Sequence, residues 1–300
     1  MDCIHNKGEK GKMETKNKKY RIGVIGGGFV GRATSFGFGS SNSVDFDIKI
    51  FDIDPKLSTH SFEETVTGSE FIFICVPTPP RSDFSIDLGI IYKVLEDCKK
   101  ICDDVEKIFI IKSTVVPGTC RKLSKKYGLS IVSNCEYLTE RRANWDFLNA
   151  SQIVIGSDET ALAERVKNLY EQRFTCMKYL LTDTVTSEML KYTLNCFFTV
   201  KVLYMNEVKQ ICEKINVNWK DLLSGFVSDS RVSDSHIQVP GPDGSLGTSG
   251  ACFPKDLNAM RHFMREHGVE PKILDAAWKK NVEVRPSVLG DIERLIKKNK

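Results

Sequence analysis

One cysteine carries most of the chemistry this sequence suggests. Cys252 stands in Gly247-Thr248-Ser249-Gly250-Ala251-Cys252-Phe253-Pro254-Lys255-Asp256. A thiol there is a candidate covalent nucleophile, and Lys255 and Asp256 beside it can tune its charge. Gly247 and Gly250 let the backbone bend and approach a ligand closely. Upstream, Val239-Pro240-Gly241-Pro242-Asp243-Gly244 reads as a run of turns over a site. A surface turn with a buried structural cysteine fits the same residues equally well. The rest of the chain has to decide.

A second chemistry appears near the amino terminus. Gly26-Gly27-Gly28-Phe29-Val30-Gly31 satisfies Gly-x-Gly-x-x-Gly and follows the apolar run 20–25, a strand candidate. The helix pattern after it is weak, with Gly37 and Gly39 inside it. A second strand, 48–51, ends at Asp52, 24 residues after Gly28. A strand, glycines, a helix and a terminal acid in that order form a dinucleotide fingerprint, with the pyrophosphate at the helix start and Asp52 on the ribose hydroxyls. An acid there repels a ribose phosphate, so the pattern favours NAD over NADP. A glycine-rich structural turn is the bland alternative.

A third group lies on a helix. Residues from Thr186 to about Ile215 include no Gly or Pro, and Leu190, Leu194, Phe197, Tyr204, Val208, Ile211 and Ile215 recur at spacings of three, four or seven. This spacing predicts a long helix with a continuous apolar stripe, a spine between domains or subunits. Lys191 and Asn195, at i and i+4, share a face beside that stripe. They are either two solvated polar residues or a partly buried catalytic pair.

The elements that must position these groups alternate. Apolar strands are expected at 70–76, 107–112, 129–133 and 153–156, with a helix over 87–101 and a basic one after Gly118. Such alternation predicts an α/β chain: a Rossmann-like, doubly wound parallel sheet, then an all-helical part with a long central helix. The expected division is a Lys-rich disordered tail over 1–19, a cofactor domain over 20–182 and a helical domain over 183–300 that carries the cysteine loop. Ligands of such sheets bind beyond the strand carboxyl ends, where Thr78, Thr114 and Glu136 fall.

Composition narrows the class. The 300 residues are 41% hydrophobic and 27% charged, with a net charge of +4 that sits largely in Lys-rich ends. That balance argues against a nucleic-acid partner. No apolar run approaches the ~20 residues of a membrane span, and residues 1–19 lack the apolar core of a signal peptide. Ten cysteines without a Cys-x-x-Cys pair, and only five histidines, give no zinc pattern. Reduced core thiols in a cytoplasmic protein are the expectation.

Taken in order, these motifs resemble the UDP-glucose/GDP-mannose dehydrogenase family. The resemblance covers residues 20 to about 282 and rests on Gly26–Gly31 with Asp52, Val76-Pro77-Thr78-Pro79, Ser113-Thr114-Val115, Glu136-Tyr137-Leu138-Thr139-Glu140, Lys191-Tyr192-x-x-Asn195-x-Phe197 with Asn206-Glu207, Asp229-x-Arg231-Val232, and Gly250–Asp256. The Asn-Cys-Phe-Phe of the long helix looks more like the UDP-glucose branch than the GDP-mannose branch. The resemblance implies oxidation of UDP-glucose to UDP-glucuronate by two NAD, through a thiohemiacetal and a thioester on Cys252. It implies that Lys191 and Asn195 stabilise the oxyanion, that Asp256 acts as base through a water held by Thr114, and that Glu136 positions substrate or activates water. For the cofactor it implies Gly26, Gly28, Phe29, Val30, Gly31, Asp52, Lys56, Thr78, Ser113 and Glu140. For the substrate it implies Glu136, Tyr137, Leu138, Lys191, Asn195, Gly247, Gly250 and Arg231, the last reaching across a homodimer built on the long helix.

The sequence also departs from the family's pattern. Gly247-Thr248-Ser249-Gly250 stands where the family commonly has Gly-Phe-Gly-Gly. Cys135 and Arg141 flank the two acids where Pro and Gly are usual, and Lys56 lies one residue closer to Asp52 than the usual cofactor-contacting base. The family normally continues into a third, nucleotide-binding domain, so the expectation is a short form or a fragment. Three readings therefore stay open besides UDP-glucose oxidation. They are a GDP-mannose-type enzyme, a one-step hydroxyacid dehydrogenase that also uses a helical Lys and Asn, and a degenerate NAD- or nucleotide-binding protein.

Overall fold

The structure, a computed structural model, describes residues 19–41, 44–102, 106–174 and 177–297. The tail expected over 1–19 lies outside the described residues, apart from Lys19. The elements alternate as β1 Tyr20–Ile25, α1 Phe29–Gly39, β2 Phe46–Phe51, α2 Phe62–Thr67, β3 Phe71–Ile74, α3 Gly89–Ile101, β4 Ile108–Ile111, α4 Thr119–Tyr127, β5 Ser130–Ser133, α5 Ala143–Leu148, β6 Gln152–Gly156, α6 Thr160–Glu171 and β7 Lys178–Thr182. Five helices follow: α7 Thr184–Lys214, α8 Trp219–Ser228, α9 Phe253–Glu266, α10 Lys272–Val284 and α11 Val288–Lys297.

The strands form one sheet in the order β2-β1-β3-β4-β5-β6-β7. β3 and β4 are wholly buried and read as unbroken apolar runs, as strands covered on both faces must. One apolar core, which includes Phe38, Phe73, Phe147 and Tyr170, fills the face under α1, α5 and α6. A second, with Ile72, Ile91, Leu95, Phe109 and Leu123, fills the face under α3 and α4. Gly37, which weakens the α1 pattern, is required there because a Cβ would stand 2.1 Å from the Phe147 ring.

The sheet is not parallel throughout. β1 to β5 pair in parallel, but β6 pairs antiparallel with β5 through Ser133 and Gly156 alone, and β7 follows β6 in parallel. Both residues of that pair are the last of their strands. β6 therefore overlaps β5 only at the carboxyl end and runs beyond the sheet's edge. β7 then extends the sheet from β6, so the last two strands run opposite to the first five.

Asp183 starts α7 by accepting the amides of Val185 and Thr186 at 2.9 and 3.1 Å. Over 31 residues α7 packs against α9 and α10, around Tyr192, Cys196, Leu257 and Met260. Glu188, fully buried on α7, accepts the amides of Gly118 and Cys120 at 2.5 and 2.7 Å and so caps α4. That bond ties the long helix to the sheet layer, so side chains of α7 face the strand ends in a fixed register.

Candidate active site

The strand order reverses at β1, which has β2 on one side and β3 on the other. This is where open sheets of this kind bind ligands. The glycine loop lies at the β1 end. Gly26 has φ +101°, and a Cβ on it would stand 2.6 Å from the Cys75 carbonyl oxygen; a Cβ on Gly31 would stand 1.9 Å from the Gly26 carbonyl. Only glycine fits at either position. Gly28 is exposed, and nothing lies within 4 Å of where its Cβ would be, so a ligand has room against the backbone. Asp52 accepts the Gly27 amide at 2.5 Å and the Asp54 amide at 2.9 Å. It closes the loop and keeps lone pairs for a hydroxyl donor. This cradle fits a dinucleotide. Phe29 and Val30 begin α1, Lys56 is exposed four residues past Asp52, and exposed Glu140 lines with Phe29 a cavity of 640 Å³.

Thr78 and Ser113 hold the neighbouring strand ends together. The Thr78 hydroxyl donates to the Thr114 carbonyl at 2.7 Å and the Ser113 hydroxyl to the Val76 carbonyl at 2.7 Å. Their hydroxyls thus fix the Cys75–Thr78 and Ser113–Thr114 segments, and any ligand contact from them has to share these bonds.

The chemistry-bearing groups converge above these ends. Lys191 Nζ donates to Glu136 Oε1 at 3.1 Å, with both side chains buried. The other Glu136 oxygen accepts the Leu138 amide at 2.6 Å, and the ammonium also stands 5.4 Å from the Tyr137 ring centroid. One turn along α7, Asn195 Nδ2 donates to Asp256 Oδ2 at 2.6 Å, while Lys255 Nζ donates to Oδ1 at 2.5 Å. The Asp256 amide bonds the Cys252 carbonyl at 2.8 Å in the first turn of α9, so Cys252 stands at that helix's N-cap. Two residues of one helix thus bridge two acids, one beyond β5 and one at the start of α9.

Charge in this cluster is set by burial and by its neighbours. Burial pushes the Cys252 thiol up to about 11; Asp256 and Glu136 push the same way, and Lys191 and Lys255 oppose them. Without substrate the thiol is therefore protonated at neutral pH. Burial works against charge on Lys191, but Glu136, Asp256 and Cys252 outweigh it and hold the ammonium above its usual range.

The loop before Cys252 is pinned by two asparagines. Asn206 on α7 accepts the Gly247 amide at 3.1 Å. Asn281 on α10, fully buried, accepts the Thr248 amide at 2.7 Å and donates to the Thr248 carbonyl at 3.0 Å. Gly247 and Gly250 take φ +67° and +79°, and a Cβ at Gly247 would stand 2.5 Å from Asn281 Oδ1. Sequence reasoning missed Asn281, because a lone polar residue in a helix carries no sign of a partner 33 positions away. It also missed Lys112 at the end of β4. That ammonium is buried and bonds the Asn134 carbonyl and side chain at 3.2 and 3.0 Å, just before Glu136.

Arg231 stands apart from the cluster. Its guanidinium is 86% exposed and forks onto Asp229, with Nε–Oδ1 at 2.9 Å. Beside the cluster a cavity of 550 Å³ is lined by Glu136, Tyr137, Leu138, Leu194, Phe198 and His236. Among the described residues no helix is long and apolar enough to cross a membrane, and the eight described cysteines are free.

Comparison with known proteins agrees with this geometry. The NAD binding domain pattern of the UDP-glucose/GDP-mannose dehydrogenase family matches residues 56–174, and the family's central domain pattern matches residues 185–283. A UDP-glucose 6-dehydrogenase of Rickettsia felis is 34% identical over 241 residues, which cover 78% of this chain and 52% of that protein. The chain therefore spans about half the length of the curated relatives it matches. Among solved structures, a UDP-glucose dehydrogenase from Pyrobaculum islandicum superposes with a TM-score of 0.77 at 24% identity, over 90% of this chain and 70% of that one. A 3-hydroxyisobutyrate dehydrogenase of Mycobacterium tuberculosis gives 0.73 at 16% identity, over 94% and 100% of the two chains. At such identities the superpositions speak to fold alone. Two domain patterns of one family, matched in order and together spanning more than half of the chain, place it in the UDP-glucose/GDP-mannose dehydrogenase family.

Proposed function

We propose that this chain oxidises the C6 alcohol of UDP-glucose to the carboxylate of UDP-glucuronate, with NAD as cofactor and Cys252 as covalent nucleophile. The convergence of Cys252 with Lys191, Asn195, Asp256 and Glu136 carries this reading, because a one-step alcohol oxidation has no use for the thiol. Gly28, Phe29, Val30 and Asp52 would hold the cofactor, with Gly26 and Gly31 shaping its loop. The chemistry that NAD supplies when bound is hydride acceptance, two equivalents for each alcohol taken to a carboxylate.

The chain's own groups do the rest. A protonated Cys252 thiol adds to the C6 aldehyde as its proton leaves toward Asp256, forming a C–S bond and an alkoxide. The Lys191 ammonium and the Asn195 amide stabilise that oxyanion. After the second oxidation the carbon is a thioester. Water, oriented by Thr114 and Glu136, adds to it and expels the thiol, giving the carboxylate. Glu136, Tyr137 and Leu138, with the loop from Gly247 to Gly250, frame the sugar. The test is stoichiometry: with limiting UDP-glucose, two NADH should form per sugar. One NADH per sugar would point to one-step oxidation. Turnover of GDP-mannose alone would move the chain to that branch, and cofactor binding without turnover of any nucleotide sugar would favour the binding-protein reading.

We further propose a homodimer built on α7. Phe197, Tyr204, Ile211 and Ile215 are 59, 56, 50 and 62% exposed and recur along one stripe, an apolar face that a second copy would bury. Arg231 would then reach the partner's cleft. Light scattering should give twice 33.8 kDa, and Phe197→Glu with Ile211→Glu should halve it. We divide the chain at 182/183, where β7 ends and α7 begins, and place it in the cytoplasm, where a reactive thiol stays reduced.

A further inference from the structure

His236, on the wall of the 550 Å³ cavity beside Glu136, has no part in the chemistry above. It lies between α8 and α9, where buried Ile237 and Val239 anchor the chain on Met205 of α7. Its backbone sits at φ +60°. This left-handed conformation is uncommon for residues other than glycine, and it gathers at ligand-contacting sites. Its ring lies parallel to Phe198 of α7, with centroids 4.1 Å apart and planes 15° apart, and it meets the Phe253 ring at 5.5 Å. Phe253 directly follows Cys252. The imidazole is therefore held one side chain away from the nucleophile. It is nevertheless exposed, and neither ring nitrogen has a hydrogen-bond partner among the described residues.

The chemistry of that ring narrows what it can meet. Partial burial, and then the Lys201 ammonium, lower its proton affinity from the ordinary value, so it is neutral at neutral pH. A neutral imidazole offers one N–H donor and one acceptor nitrogen. A phosphate is better served by a cation. A hydroxyl, which both donates and accepts, can use either nitrogen. The lining beside it, Leu138, Leu194 and Phe198, is apolar and suits the C–H faces of a sugar ring. Glu136, on the same wall, bonds Lys191 at 3.1 Å and so belongs to the reacting end.

We propose that His236 is a specificity-determining residue, hydrogen-bonded to the C2 or C3 hydroxyl of the sugar whose C6 is oxidised at Cys252. C2 lies across a pyranose ring from C5, which carries C6, and C3 lies beside it. The proposal rests on the nucleotide-sugar reading above. The test is steady-state turnover of UDP-glucose and its 2-deoxy and 3-deoxy analogues by the full chain and by His236 variants. His236→Phe keeps the stack on Phe198, whereas His236→Asn tolerates the left-handed backbone and restores a donor and an acceptor. A hydrogen bond remote from C6 is made equally before and during the reaction. His236→Phe should therefore raise KM for UDP-glucose about tenfold and leave kcat within about twofold. One analogue should show that higher KM with the wild type already, and the variant should make it no worse. That analogue names the hydroxyl. His236→Asn should recover part of the loss for the substrates that keep it. His236→Gly, whose backbone is unstrained at this φ, should discriminate among the analogues as His236→Phe does. A ring that only packs would weaken all three substrates by one factor. That result, or an unchanged KM for UDP-glucose, overturns the proposal while the functional reading stands. If GDP-mannose is turned over in place of UDP-glucose, the same variants and the deoxy forms of that sugar decide it. If no nucleotide sugar is bound or turned over, both are overturned.

Discussion

Cys252→Ser should lower carboxylate formation on the order of 10³-fold or more, because a nucleophile knockout removes the only covalent route. Cys252 makes no side-chain bond at the α9 N-cap and serine conserves its shape, so the variant should bind NADH and fold as the wild type does. Its first oxidation should survive better than its second, leaving aldehyde-level product. A variant that still forms two NADH per sugar at near-normal rate would remove Cys252 from the mechanism.

The same thiol makes a prediction in pH. Its folded value of about 11 lies above the ordinary 9, so the neutral form is favoured by folding. That contribution to stability is complete below about pH 9 and is lost as pH rises through about 11. Alkylation of Cys252 by iodoacetamide, followed by mass spectrometry, should therefore rise about tenfold per pH unit through neutrality and level off only near pH 11. Asp256→Asn removes a carboxylate that raises the thiol, and should move the curve to lower pH. A plateau below pH 8 in the wild type would mean that the resting site already holds a thiolate.

Part of this site was legible because its causes are local. Gly31 obeys contacts five and seven residues back and Gly26 one with the residue just past β3, and so they declare themselves as a motif. The stripe of α7 and the four-residue step from Lys191 to Asn195 follow from helix geometry alone. The direction of β6 was not legible, since Gln152–Gly156 reads as a buried strand in either direction. Only the single Ser133–Gly156 pair distinguishes the two. Glu188, Lys112 and Asn281 were missed for a common reason. Each is a polar side chain buried by a partner 22 to 70 positions away, and a one-dimensional pattern reads it as a solvated residue. The sequence therefore pointed to groups that the fold brings together, while the residues that hold them in place emerged only from the packing.

Lys191→Met separates holding from reacting at the most buried charge pair. In the wild type Lys191 is held above its usual range by Glu136, Asp256 and Cys252 against burial, so its contribution is full below the ordinary lysine value and fades as pH rises through the folded one. Methionine keeps the stem but leaves the Glu136 carboxylate buried at 6% exposure with only the Leu138 amide. Breaking one half of a buried pair costs about 3–5 kcal/mol. The variant should therefore unfold at a lower urea concentration than the wild type at pH 7.5. Loss of the oxyanion donor should independently lower turnover about 10²–10³-fold. Lys191→Met/Glu136→Gln distinguishes the two effects, because a neutral amide removes the buried charge without restoring the donor. The double variant should recover most of the stability at pH 7.5 and none of the turnover. Recovery of both would make Lys191 a structural partner of Glu136 and nothing more. Lysine loss should also push the Cys252 alkylation curve to still higher pH, since the ammonium is the foremost of the groups that lower that thiol.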